Sequence, residues 1–184
     1  MNERCKTCRC FERKFMKHYR VSGRMLSEKN PSGRRFFSFW TWDQCKKCLG
    51  EGKTLKQILD MDYIKASYRI WAVARFIPDE MNRVFAIWCA RQFETDAPEI
   101  ADYIDTAEKY YGGKATQEEL QASYKAADSA KSDALSRNAF CAAHRAACRE
   151  SSDAAYSVAH WSQLNELASG DELIKKLKHL ILYD

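Results

Sequence analysis

The sequence predicts a mainly α-helical protein, in which a bundle of about seven helices follows a small cysteine-rich module with a short β-hairpin. The eight cysteines divide unevenly, five before residue 50 and three after it. Charge divides at the same place, because residues 1–53 carry 14 Lys and Arg against 5 Asp and Glu, whereas residues 54–184 carry 16 against 20. From residue 54 onward, apolar residues recur at three- and four-residue steps, as in amphipathic helices. We therefore expect two domains, a basic module over 1–53 and an acidic, alanine-rich bundle over 54–184.

The composition is that of an ordinary globular chain. The 184 residues are 46% hydrophobic and 30% charged, which excludes a collagen-like or largely disordered protein. The basic first residues are not followed by the apolar run of a secretory signal, and no stretch approaches the roughly 20 apolar residues of a membrane helix. We therefore expect a cytoplasmic protein with no membrane partner. In that reducing compartment, closely spaced cysteines are metal ligands more often than disulfides.

Two Cys-x-x-Cys turns predict a metal site in the basic module. Cys5 and Cys8 form the first turn, and Cys45 and Cys48 form the second. Each turn can present two thiolates to one ion, and two turns complete the tetrahedral four-thiolate shell that suits zinc. The module is then zinc-ribbon-like and holds one structural Zn²⁺, with the polar stretch 20–35 as a loop between its halves.

The sequence does not decide which four side chains coordinate the metal, because two others are also suitable ligands. Cys10 can replace Cys8, and His18 is a competing ligand, although a lone histidine in a basic stretch is more often solvated. Free surface cysteines and a redox dithiol are the alternatives to zinc. The redox alternative is the weaker one because neither turn lies in a strand-helix context.

An aromatic segment over 36–42 predicts a strand with two apolar faces. A module of about 50 residues has little interior of its own, so at least one face is expected to pack against the helices. The alternative is that the rings stack on exposed bases while neighbouring cations contact phosphates. The residues predicted for this nucleic-acid contact are Arg34, Arg35, Trp40, Trp42, Lys46 and Lys47.

The pattern CKTCRCFERKFMKHYR, followed by the aromatic strand and CKKC, resembles the zinc knuckles that accompany HNH-type endonucleases and related small phage proteins. The resemblance covers residues 4–50 and implies nucleic-acid contact through the basic module. An HNH catalytic centre needs paired histidines and an asparagine around a divalent ion, whereas His18 is the module's single histidine. Nuclease activity is therefore not carried over to this chain.

Capping residues, Pro and Gly predict where the first four helices of the bundle begin and end. The predicted boundaries are, in chain order, Thr54 to Asp60, Asp62 to Pro78, a third helix that opens at Asp79, and Pro98 to Gly112-Gly113.

A capping box formed by Thr116 and Glu119 begins the longest predicted helix. This helix runs over 117–150 and has alanine at ten positions, which favours both helix formation and close helix packing. The helical pattern continues to Gly170, and Asp171 caps a last helix.

Three side chains in the long helix form a possible second metal site. Cys141, His144 and Cys148 share one helix face at i, i+3 and i+7, and His160 of the next helix is a possible fourth ligand. Burial of small side chains in an alanine-rich seam explains the same pattern, and we favour that interpretation.

The helical part also resembles a known family. The segments IWAVARFIPDEMNRVFAIWCARQFE, DYIDTAEKYYGGKATQEELQASYKAADSA and AFCAAHRAACRESSDAAYSVAHWSQLNE look like the immunity-protein domain found beside polymorphic toxins and in related phage proteins. The resemblance covers about residues 70–167. It implies binding rather than catalysis and assigns no functional residues.

The sequence favours an interaction protein over an enzyme. It contains no phosphate-binding loop, no serine elbow and no metal-binding carboxylate-histidine motif. We expect the bundle to bind and inhibit or modulate a protein partner that has a basic surface. The alternative is a nucleic-acid-binding regulatory protein that uses the basic module. A strip of acidic residues is expected to face solvent or the partner, namely Glu94, Asp96, Glu99, Asp102 and Asp105.

Overall fold

A computed structural model describes residues 18–28, 49–93, 96–132, 134–148, 154–155, 157–160 and 168–183. These residues form a mainly helical protein with a small two-stranded antiparallel sheet, so the predicted fold class is confirmed at this level. The strands are β1 (Arg20–Val21) and β2 (Lys53–Thr54). The helices are α1 (Gly23–Glu28), α2 (Leu55–Leu59), α3 (Ala66–Ala74), α4 (Asp79–Ala90), α5 (Pro98–Tyr111), α6 (Gln117–Ser129), α7 (Ala134–Cys148), α8 (helical residues 154–155 and 157–160) and α9 (Gly170–Leu182).

The sheet joins two distant parts of the chain. Arg20 pairs with Thr54, and Val21 pairs with Lys53. The strands are therefore connected by residues 22–52 rather than by the tight turn of a short hairpin. Gly52 immediately precedes β2 at φ 128°, where a side chain would be strained, and its Cβ would lie 3.3 Å from Arg20 Cβ. The strand predicted over 36–42 lies outside the described residues.

Most predicted helix starts are confirmed, because local side-chain chemistry determines them. Thr54 caps α2, and Thr116 forms the predicted capping box, with its hydroxyl accepting from Glu119 N at 3.2 Å. Asp79 opens α4 and Pro98 stands at the first turn of α5, as expected.

Two predicted caps are wrong. Asp62 caps no helix, because residues 60–64 form hydrogen-bonded turns and α3 begins only after Lys65. The last helix is capped by Ser169 rather than Asp171, because Ser169 has the extended backbone that a cap requires. Its hydroxyl accepts from Glu172 N at 3.2 Å.

The long helix predicted over 117–150 is divided in two. Helix α6 ends at Ser129 and α7 begins at Ala134. Serine and aspartate side chains compete for backbone hydrogen bonds and lower helix propensity, and the break falls in the Asp128 to Asp133 stretch, which is rich in them. Division of the helix allows both halves to pack against α5.

The described residues share one hydrophobic core. Tyr103 of α5 is fully buried, and its ring lies 5.8 Å from that of Tyr124 and 6.3 Å from that of Phe140. The core also contains Val21 and Leu26, which precede residue 54. β2 spans the predicted boundary between residues 53 and 54, and the division into two domains stays a prediction. No described helix is long and apolar enough to cross a bilayer.

Candidate protein-interaction surface

The predicted zinc and nucleic-acid residues lie outside the part of the chain that the structure describes. This applies to Cys5, Cys8, Cys10, Cys45 and Cys48. It applies equally to Arg34, Arg35, Trp40, Trp42, Lys46 and Lys47. Zinc binding and nucleic-acid contact therefore stay predictions. His18 is described, and its side chain is exposed.

The side chains of the possible second metal site are only partly described. His144 is stacked on Phe140, with ring centroids 5.9 Å apart and an interplanar angle of 7°. Its ring centroid also lies 5.2 Å from that of Tyr124, so His144 belongs to the aromatic cluster between α6 and α7. Cys141 and His160 are half-buried, and the side chain of Cys148 is outside the described set. Within the described residues, no group of three or more His, Cys, Asp or Glu could hold a metal ion.

The predicted acidic strip forms an exposed surface at the start of α5. Asp96, Glu99 and Asp102 are exposed, whereas Asp105 is half-buried and Glu94 lies outside the described residues. Glu99 and Asp102 are one helical turn apart and therefore lie on the same face of α5. We call Asp96, Glu99 and Asp102 the acidic surface.

The inner part of the strip is paired with a cation from α4. Arg91 Nη2 lies 2.7 Å from Asp105 Oδ1 and 2.5 Å from Glu108 Oε2. Burial acts to lower the pKa of Arg91, but its hydrogen bonds to Glu108 and Asp105 outweigh this and raise the pKa above its usual range. Asp96, Glu99 and Asp102 form no ion pair with any other described residue, so the unpaired negative charge of the strip lies on the acidic surface.

A groove between α5 and α6 adjoins the acidic surface. Its volume is about 430 Å³, and Glu99 and Asp102 line it on the α5 side. Small side chains of α6 line the other side, including Ala122 and Ala126. The groove therefore has room for a partner's side chain between the carboxylates of α5 and the small residues of α6, and Lys109 lies on the same wall as the carboxylates.

The sequence alone did not predict the pairing of Arg91 or the exposure of Val84. Arg91 comes from a different helix, and no local spacing links it to Asp105. In the sequence, Val84 follows Met81 and precedes Trp88 at the three- and four-residue steps of an apolar helix face, which predicts that it is buried. It is instead 46% exposed, in a groove of about 1080 Å³ between α4 and α5.

Comparison of the chain with protein-family models, with curated proteins and with solved structures finds no match. The resemblances to immunity-protein domains and to HNH-associated zinc knuckles therefore stay predictions from sequence.

Proposed function

We propose that this chain is a non-enzymatic interaction protein that binds and inhibits or modulates a protein partner with a basic surface. Its role is of the immunity or counter-defence type, encoded by a phage or another mobile element, as the sequence resemblance implies. The observation that carries the proposal is the exposed acidic surface at the start of α5. The proposed setting is the cytoplasm, where such a partner would be synthesised.

The acidic surface supports this function because its charges are available to a partner. Complementary charge accelerates encounter and excludes wrong partners. Arg91 takes up the carboxylates of Asp105 and Glu108, so a partner's lysines and arginines would meet Glu99 and Asp102 first. The adjoining groove offers such a side chain a site beside the small residues of α6.

Charge reversal of the acidic surface tests the proposal. Affinity capture from the source cell is expected to recover a single stoichiometric partner with the unmodified chain. The double variant Glu99→Lys with Asp102→Lys should bind that partner at least about tenfold more weakly, because like charges then face each other.

A matched control separates this effect from a change in net charge. Glu51 and Asp62 are exposed and lie outside the acidic surface, so Glu51→Lys with Asp62→Lys makes the same charge change elsewhere. This control should retain the partner. Equal capture by both double variants, or recovery of no stoichiometric partner by the unmodified chain, would contradict the proposal.

One structural Zn²⁺ forms part of the proposal, held by Cys5, Cys8, Cys45 and Cys48. Support for it comes from the two Cys-x-x-Cys turns. Replacing Cys45 and Cys48 by serine should release the metal and increase protease cleavage within 1–53, while helical circular dichroism is largely retained. Unchanged zinc content in elemental analysis would refute the ligand assignment.

The second candidate function is nucleic-acid binding by the basic module. It is favoured by the excess of Lys and Arg over 1–53 and by the aromatic residues between them. Binding should weaken steeply from low to physiological salt, and charge reversal of the four predicted cations should abolish it. No detectable binding at low salt would exclude it. Those cations are Arg34, Arg35, Lys46 and Lys47.

A further inference from the structure

Helices α5 and α6 form a hairpin with an exposed outer side. Residues 112–116 join the two helices, which pack against each other and therefore run antiparallel. The rings of Tyr103 and Tyr124 lie 5.8 Å apart across the pair, so these two residues stand at the same level of the hairpin. Small side chains of α6 lie at the middle of the outer side, where Ala122 and Ala126 are exposed.

Each helix of the hairpin carries one carboxylate and one lysine on this side. Asp102 and Lys109 of α5 are seven residues apart, as are Glu118 and Lys125 of α6. Seven residues make almost two helical turns, so each pair lies on one side of its helix. All four side chains are exposed and form no ion pair with any other described residue. We call these four residues, with Ala122 between them, the hairpin face.

The charge pattern has its centre at the same level on both helices. The midpoint of the α5 pair falls between residues 105 and 106, and that of the α6 pair falls between 121 and 122. Residue 105 is two positions after Tyr103, and residue 122 is two positions before Tyr124, so the midpoints are level in the antiparallel hairpin. A two-fold axis at this level would place every carboxylate of the hairpin face opposite a lysine of a second copy.

We infer that the hairpin face binds the hairpin face of a second copy of this chain, with the paired helices antiparallel across a two-fold axis. Asp102 then lies opposite Lys109 of the second copy, and Glu118 lies opposite its Lys125. The small side chains at the centre allow the two faces to approach closely. Each helix is only about 20 Å long, so the face is smaller than the roughly 800 Å² per partner of standard interfaces, and we expect a weak, salt-sensitive dimer.

The dimer would regulate the acidic surface, because it covers Asp102 and adjoins Glu99. A partner with a basic surface would have to displace the second copy before it could bind. This regulatory consequence rests on the proposed function, whereas the dimer itself does not.

Sedimentation equilibrium of the full chain, from about 10 µM to about 1 mM at low salt, tests the dimer. We expect a monomer–dimer equilibrium that shifts toward monomer as salt is added. Lys109→Glu with Lys125→Glu should raise the dimer Kd at least about tenfold, because like charges then face each other across the axis. Adding Asp102→Lys and Glu118→Lys to that variant restores opposite charges and should restore the dimer.

The control Lys65→Glu with Lys175→Glu makes the same change of net charge on exposed lysines outside the hairpin face, and it should leave the dimer unchanged. Circular dichroism checks that each variant keeps its helices. A chain that stays monomeric at about 1 mM, equal dimerisation of the two double-lysine variants, or no recovery in the folded fourfold variant would overturn the inference.

The failure of the dimer can be distinguished from the failure of the proposed function. Sedimentation uses the purified chain alone, so its outcome does not depend on a partner. The Lys109→Glu with Lys125→Glu variant keeps Glu99 and Asp102, so it should still capture the partner although it no longer dimerises.

Discussion

At the scale of single residues, side chains from two other helices donate hydrogen bonds to the last described turn of α7. Arg83 of α4 donates to Ala146 O at 2.8 Å, and its guanidinium lies 4.4 Å from the Tyr111 ring centroid. Tyr111 of α5 donates its hydroxyl to Ala147 O. Both acceptors lie in the last described turn of α7, so these two side chains join α4 and α5 to that turn.

We predict that Arg83→Ala lowers the free energy of unfolding by about 1–3 kcal/mol, because a charge-assisted hydrogen bond and a ring contact are lost together. Urea denaturation followed by circular dichroism measures the change. The control is Lys125→Ala, an exposed substitution on α6 that should change stability by less than about 0.5 kcal/mol. Equal effects of the two substitutions would show that Arg83 does not secure the end of α7.

The ion pairs of Asp60 make the free energy of unfolding depend on pH. Burial acts to raise the pKa of Asp60, but hydrogen bonds from Lys178 and Lys56 outweigh it, so the pKa is lowered in the folded state. A carboxylate with a lowered folded pKa stabilises the protein above its unfolded pKa of about 3.9. That contribution is lost as the pH falls through the folded pKa.

We therefore predict that Asp60→Asn destabilises the protein at pH 7 by about 1 kcal/mol or less, because the ion pairs are solvent-exposed. The difference from the unmodified chain should shrink as the pH falls below about 4. Thermal unfolding at pH 7, 5 and 3 measures both effects. Asp62→Asn is the control, since Asp62 makes no ion pair within the described part of the chain, and a pH-independent difference for Asp60→Asn would contradict the prediction.

At the scale of secondary-structure elements, three of the described helices start with a capping box. Thr54, Thr116 and Ser169 each cap a helix through a hydroxyl that accepts from the N3 amide, and a Gln or Glu at N3 reaches back. The capping boxes determine the residue at which each of α2, α6 and α9 begins.

We predict that Thr116→Ala and Ser169→Ala each cost about 1 kcal/mol of stability, because the N3 amide loses its acceptor. Denaturant titration at 222 nm measures the loss. Ser129→Ala is the matched control, since its hydroxyl only donates back to Lys125 O within α6. A loss at Ser129 as large as that at the caps would show that the hydroxyl is not acting as a cap.

Helix starts could be predicted from sequence where a residue had the chemistry of a cap, as at Thr116, or where a proline fitted the first turn, as at Pro98. Ser169 and Asp171 were both chemically suitable, and only the backbone conformation distinguishes them. The break between α6 and α7 was not predicted, because the alanine pattern continues on both sides of it and obscures the low helix propensity of the Asp128 to Asp133 stretch.

One part of the candidate surface could be predicted from the sequence and another could not. The exposure of Glu99 and Asp102 follows from helical spacing, which places both on one face of α5. The pairing of Arg91 with Asp105 was not accessible, because it joins two helices across a packing interface.

At the scale of the whole molecule, the described N-terminal residues are built into the core of the bundle. Val21, Leu26 and Leu49 are at most 2% exposed and belong to the same hydrophobic cluster as the helices. The basic part of the chain is thus connected to the bundle by buried side chains as well as by the sheet. We expect these residues and the bundle to unfold together.

Leu26→Ala tests this connection. It should lower the free energy of unfolding of the entire helical signal by about 2–5 kcal/mol, in a single transition, because a fully buried side chain is truncated. Arg24→Ala, an exposed neighbour in α1, should change it little. An unchanged midpoint for Leu26→Ala would show that α1 does not share the cooperative unit of the bundle.

The pairing of β1 with β2 has a consequence for the proposed zinc ligands. Cys8 precedes β1 by twelve residues and Cys48 precedes β2 by five. The β1–β2 ladder closes the stretch of chain between the two proposed thiolate pairs. Folding of the bundle is therefore expected to meet part of the entropic cost of assembling the proposed four-thiolate shell. Zinc affinity and bundle stability become linked quantities, so each should strengthen the other.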